Sequence, residues 1–462
     1  MKNDSNLYTG ILKFRNINFV FILNREELRL IMPQDKEHEV MKWIYDSFLG
    51  ESIQMEVPYL IGNCNENGHT LIIFTRQGSV VESYNDVLFV ETIAYIDCDN
   101  DCCAIGKISF SSPEINYIHP VNNAFEYSYN LQNGVFCINT FDGKSTTTEK
   151  QVFKVDDVDV MVSFSVLRKL SLNNEATPLH LSSSMEFEFA PTNNYEFLWR
   201  LWIVAKRLLK FLCYRENVQL SSAELATCNE EGKFKYFATM HVWETVIDES
   251  KILEKGGYIR QTYISEIQGK LLTDIAANKI YLRHFPETYR SGKSKNAASF
   301  VMITAAFEWE FHRLYPDGIK KSESTLKAEQ SVSETIEKLI SSSTGKLKDK
   351  YSFLKRLIKS YSLQSKIIQI GKDFDDIIGI FGKKLYEMNN KTLVYSDMGQ
   401  RLSDQRNHFA HGDLDKEFIG ISLLDLVFME YVIYAMQLKY YGASNENIQK
   451  AINELFYHNL KI

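Results

Sequence analysis

The sequence predicts an α+β protein in two parts: a β-rich, sandwich-like N-terminal region followed by an all-helical C-terminal domain. Three observations carry this. At 462 residues the chain is too long for one ordinary core. Its first 190 residues are short β-branched and aromatic runs punctuated by turn signals, and beyond about residue 260 the apolar period is almost wholly helical. Hydrophobic residues at 45% and charged residues at 24% fit a globular chain and exclude disordered and fibrous classes.

In the first part, "FVFIL" (19–23), "TLIIFT" (70–75), "VFCINTF" (135–141) and "DVMVSFSV" (159–166) read as strands. "SMEFEFAP" (184–191) alternates as a half-buried strand should. Over 194–216 the period changes: Leu198, Leu201, Ala205, Leu208 and Leu212 form a helical stripe, with Arg200, Lys206, Arg207 and Lys210 among them. This amphipathic helix is expected to pack on the sheet with its basic residues in water. Two extended runs, 233–240 and 241–247, complete the β-rich region, placed at 1–250. A helical connector spans 251–290, and "RSGKSKN" (290–296) marks the start of a domain at 291–462.

That domain opens with Phe300, Ile303, Phe307, Phe311 and Leu314 on one face, ended by Pro316-Asp317-Gly318. Helical patterns follow over roughly 331–345, 347–370, 373–388, 399–411, 416–441 and 444–457. The most apolar run (421–441) contains Asp425, Glu430 and Lys439, so it reads as a buried helix and not a membrane span. The abundant apolar surface of the 416–441 helix is expected to need partners, a reason to expect self-association through the helical domain.

The formal net charge of −7 hides an asymmetry. Residues 291–462 carry 24 Lys+Arg against 21 Asp+Glu, and the preceding 290 residues carry 28 against 38. The acidic part is a poor nucleic-acid platform. The seven cysteines have no disulfide-framework spacing, and Cys98, Cys102 and Cys103 lack a second pair for zinc. "MKNDSNLYTG" has no apolar core of a signal peptide, so a cytoplasmic location is expected. No phosphate loop, GxSxG or dinucleotide fingerprint is present in the sequence, and no cofactor is expected.

Titratable chemistry concentrates in "QRLSDQRNHFAHGDLD" (400–415). Arg406 and His411 are five residues apart, about 140° of helical rotation, so they do not share a face of a regular helix. Gly412 suits a C-cap and would let the chain turn His411 back toward Arg406. Cutting RNA without metal requires the ribose 2′-OH to lose a proton as it attacks the adjacent phosphorus. A neutral imidazole, with pKa near ~6.5, takes such a proton at physiological pH. A guanidinium fork holds two phosphoryl oxygens as charge builds on them, and lysine lacks that geometry.

"RNHFAHG" (406–412) resembles the RxxxxH motif of HEPN-domain ribonucleases, including a polar residue directly after the arginine. The β-rich region ahead of a helical domain is similar in architecture to ApeA-type anti-phage proteins. The resemblance implies catalytic Arg406 and His411 with Asn407 as a polar helper. It implies a metal-independent endoribonuclease acting on RNA, tRNA included, in anti-phage or abortive-infection defence. It also implies a homodimer or higher homo-oligomer with two motifs at one cleft, and a phage protein trigger at the N-terminal region. The alternative is a non-catalytic dimerisation or RNA-binding module in a defence or toxin-antitoxin complex.

Arg401 and His408 also fit a looser Rx4–6H spacing and lie within about 20° of one helix face, so they are supporting candidates. Glu308, on the opening helix, is a candidate to orient Arg406; the plainer alternative makes Glu308 and Glu310 solvent-facing charges around a buried Trp309. Residues 346–372 carry eight Lys/Arg and one acid. There Lys355, Arg356, Lys359 and Lys366 are candidates to track phosphates, and Tyr351 or Tyr361 to stack on bases. A metal site from His408 and His411 with Asp413 or Asp415 is the minor alternative, and none is expected.

Overall fold

Two-residue turns build much of the β-rich region. Arg15-Asn16, Asn85-Asp86 and Asp156-Asp157 all have φ between 45° and 67°. This left-handed geometry matches the right-handed twist of a hairpin, and Asn and Asp tolerate it. The computed structural model describes residues 7–48, 54–99, 103–130, 132, 134–141, 146–171, 179–229, 231–320, 322–358, 361–410 and 418–462. The chain divides into two compact units at Lys279/Ile280, inside the segment expected to be a connector.

In the first unit the strands are β1 (Leu7–Phe14), β2 (Ile17–Asn24), β3 (Glu27–Ile31), β4 (Tyr59–Cys64), β5 (Thr70–Thr75), β6 (Glu82–Tyr84), β7 (Val87–Cys98), β8 (Ile105–Phe110), β9 (Phe125–Asn130), β10 (Val135–Thr140), β11 (Gln151–Val155), β12 (Val158–Leu170), β13 (Leu179–Thr192), β14 (Ser222–Cys228) and β15 (Phe234–Val242). Its helices are α1 (Glu37–Phe48), α2 (Pro113–Ile118), α3 (Tyr195–Cys213), α4 (Ser250–Leu253), α5 (Gln261–Ile264) and α6 (Gln268–Ala276). Pairing is antiparallel throughout. Strands β1, β2, β3, β7, β5 and β4 pair in succession and β4 returns to β1, closing a six-stranded ring. From β7 the sheet continues open through β15, β14, β8, β13, β12 and β11. Of the two runs expected at 233–247, the first and the start of the second form one strand, β15, which ends at Val242, and the expected sandwich is one continuous sheet curled at one end.

Ile17, Phe19, Phe21 and Leu23 alternate inward from β2 into the ring core. Gly10 and Gly62 make room there: a Cβ on either would lie within 2.7 Å of the Phe21 ring. Strand β5 does not alternate because both its faces are buried, with Phe74 stacked on Trp199 of α3. The stripe of α3 is fully buried, and Arg200, Lys206 and Lys210 pair with Asp156, Glu244 and Glu216. In β13 the alternation misleads. Glu186 and Glu188 are buried like their apolar neighbours, because Lys107 pairs with Glu186 at 2.7 Å and Lys150 with Glu188 at 2.5 Å. Strands β9 and β10 form a separate ribbon with Tyr127, Tyr129, Phe136 and Ile138 exposed. Cross-strand pairing sets these four on one face.

The second unit holds α7 (Tyr289–Gly292), α8 (Ala297–Leu314), α9 (Glu323–Ser342), α10 (Gly345–Ile358), α11 (Leu363–Glu387), α12 (Tyr395–Ala410), α13 (Ser422–Tyr441) and α14 (Asn445–Leu455). The expected helices at 347–370 and 373–388 divide differently: Ser362 caps a new helix that runs unbroken to Glu387. Helix α13 buries fifteen of its twenty residues, packed by α8, α11, α12 and α14. The partners its apolar surface needs are therefore in its own chain. Gly442, at φ 96°, ends it as a left-handed cap. Helices α9 and α10 pack on each other, α9 has no buried residue, and Leu326, Leu347 and Phe353 are about half exposed. No helix among the described residues is long and apolar enough to cross a membrane.

Candidate active site

Helix α12 buries Met398, Leu402, Gln405 and Phe409 at helical spacing, which turns Arg406 and Asn407 to solvent on its last turn. Gln405 Oε1 accepts from the Ile419 amide at 2.7 Å and from Ser422 Oγ at 2.9 Å. One buried side chain thus ties the end of α12 to the start of α13. His411, Gly412, Asp413 and Asp415 lie outside the described residues, as do Lys359 and Cys102.

The Arg406 side chain is 49% exposed and donates from Nη1 to Glu308 Oε1 at 2.8 Å. Glu308 comes from α8, so the contact expected from sequence is present. Its neighbours are the reverse of that expectation: Trp309 is 47% exposed and Glu310 is buried. Glu310 accepts from Arg313, Gln437 and the Tyr281 amide, which offset a burial that pushes its carboxyl above the usual range.

Arg401 has a different surrounding. Its Nε and Nη2 fork onto Asp425 of α13 at 2.7 and 2.8 Å, and the Tyr386 hydroxyl also donates to Asp425. Asp425 is fully buried. The hydrogen bond to Asp425 raises the pKa of Arg401, and burial raises that of Tyr386. This is a core ion pair facing away from Arg406's solvent position. His408 is partly buried, so the looser Arg401/His408 pairing has its arginine committed elsewhere.

The basic run is not one face. Lys355 pairs with Glu337 of α9, Arg356 is exposed near the Phe353 ring, and the Tyr361 hydroxyl donates to the Ile319 carbonyl. Lys366, expected to follow phosphates in solvent, is only 5% exposed. Its Nζ lies 3.5 Å from Glu308 Oε1, 3.5 Å from His312 Nε2 and 5.7 Å from the Phe311 ring centre. The signal for this burial is the place of Lys366 within the stripe Leu363, Ile367 and Ile370, which the local excess of basic residues masks. His312, one turn from Glu308 on α8, was not among the expected site residues. Arg406, Glu308, Lys366 and His312 thus gather from three helices into one polar cluster. Among the described residues no group of three or more metal-ligating side chains is present. No protein-family model matches the chain, and no curated protein or solved structure is similar to it.

Proposed function

We propose that the protein is a metal-independent endoribonuclease of the HEPN type, with Arg406 and His411 as its catalytic pair, Asn407 beside them, and a role in anti-phage defence. The observation that supports it is the placement of Arg406. It is exposed on the last turn of a helix, with one edge of its guanidinium fixed by Glu308. A surface ion pair of this kind contributes only about 0–1 kcal/mol to stability. Such an arginine is held at little structural benefit and can exchange its carboxylate for a phosphoryl oxygen at little cost. Arg401 holds the buried pair with Asp425, which favours Arg406/His411 over Arg401/His408 as the active register.

In this reading His411 takes the 2′-OH proton and Arg406 steadies charge on the phosphoryl oxygens, giving a 2′,3′-cyclic phosphate and a 5′-hydroxyl. Two chains would share one cleft. Uncovered apolar residues on α9 and α10, rather than α13, are then the surface available to a second copy. The exposed aromatic face of the β9–β10 ribbon, in the acidic part of the chain, is the surface offered to a protein trigger. The test is incubation of purified protein with total RNA, tRNA included, beside Arg406→Ala and His411→Ala variants. Cleavage lost in both variants, with the fold retained, supports the reading.

The Arg406–Glu308 pair also favours a second reading, a non-catalytic dimerisation or RNA-binding module in which that pair is only a surface contact. Equal behaviour of the Arg406→Ala variant and the parent in cleavage would favour it.

A further inference from the structure

One carboxylate oxygen, Glu308 Oε1, receives two cations from two helices: Arg406 Nη1 at 2.8 Å and Lys366 Nζ at 3.5 Å. The lysine is poorly compensated for its burial. An ammonium has three donors, and charge-assisted N–H···O bonds settle near ~2.8 Å. Among the described residues its contacts to Glu308 and His312 are both 3.5 Å, and the other is an aromatic face. Removing a cation from water is costly unless a close anion offsets it, and a phosphate group brings more oxygens to the site than the carboxylate does. Glu308 is 27% exposed at its side chain and lies on the solvent edge of α8, so a rotamer change moves it into water.

We infer that Arg406 and Lys366, with His312 at the solvent side, form a phosphate-binding site in which Glu308 Oε1 stands where a phosphoryl oxygen binds. This deepens the ribonuclease reading and takes its biological meaning from it. In that reading one non-bridging oxygen of the scissile phosphodiester meets Arg406 and the other meets Lys366, while Glu308 turns away. Glu308 then competes with substrate. A carboxylate that merely oriented Arg406 would assist binding, and the two roles predict opposite signs.

The experiment is calorimetric titration of the full chain with inorganic phosphate in chloride buffer, for the parent, Glu308→Gln, and Glu308→Gln/Lys366→Met. Glu308→Gln removes the competing charge and tightens phosphate binding about tenfold; adding Lys366→Met weakens it again by about tenfold or more. Weaker or unchanged binding in Glu308→Gln overturns the inference, as does phosphate binding undetectable in parent and variant alike. If Lys366→Met does not fold, the Glu308→Gln comparison alone decides, since that exchange keeps the side chain's shape. RNA cleavage is recorded in parallel. The stated phosphate pattern without cleavage retains the site and removes the nuclease; cleavage without that pattern does the reverse.

Discussion

Two arginines five residues apart on α12 do different work, and the difference is measurable. Arg401 neutralises a fully buried Asp425, so Arg401→Ala leaves an unpaired charge in the core and costs about 3–5 kcal/mol. Arg406 is half exposed on Glu308, so Arg406→Ala changes stability by no more than about 1 kcal/mol. Chemical denaturation of the two variants checks this directly, and a reversed order contradicts the assignment of roles. In the sequence only the flanking Asn407 and Gly412 favour Arg406 over Arg401. Both are followed by a histidine at motif spacing, and Asp425, which decides the matter, lies 24 residues downstream of Arg401. The Glu308–Arg406 contact was legible only as a candidate, because an acid on the opening helix reads equally well as a solvent-facing charge. The burial of Glu310 beside it was not, because its partners Gln437 and Tyr281 come from distant segments.

At the scale of elements, what was legible followed from periodicity. The stripes of α3 and α8 and the existence of most strands were readable because one buried face imposes a period of 3.6 or 2. Elements buried on both faces carry no such period. That is why β5 and α13 gave no clue to which neighbours cover them, and why Glu186 and Glu188 looked solvent-facing in β13. Closure of the ring depends on pairing between β7 and β5 and between β1 and β4, which no local pattern encodes. A close approach inside it gives a prediction: Gly62→Ala sets a methyl against the Phe21 ring and lowers stability by about 1–3 kcal/mol. Thermal or denaturant unfolding of the first unit's signal reports it; an unchanged midpoint shows that Phe21 has room to move.

For the molecule as a whole, the helical unit is expected to lose stability in mild acid. Burial holds His458 down to about 4 and His284 to about 3, with nearby Lys384 and Lys295 acting in the same direction. In the unfolded chain both titrate near ~6.5. Stability is therefore complete above about pH 6.5. It falls between there and about pH 4, because the unfolded state takes up protons first, by up to about 1.4 kcal/mol per pH unit for each histidine. Denaturation midpoints at pH 7.5 and 5 measure it, and His458→Gln reduces the slope; a pH-independent midpoint contradicts the buried neutral state. Self-association belongs to this scale as well. A shared cleft requires a dimer or larger at micromolar concentration, and Phe353→Asp on exposed α10 weakens it, whereas a strict monomer with and without RNA opposes the shared site.

The proposed activity is cleavage of RNA through the ribose 2′-hydroxyl by the cluster at the end of α12. The most direct measurement is the chemistry of the cut ends, obtained in EDTA, on an RNA and on the same strand with 2′-deoxyribose at the cleavage position. The expected result is cleavage of the RNA alone, leaving a 2′,3′-cyclic phosphate or its hydrolysis product and a 5′-hydroxyl, and none by Arg406→Ala or His411→Ala. Cleavage that disappears in EDTA and leaves a 5′-phosphate, or that proceeds equally on the 2′-deoxy strand, would contradict it.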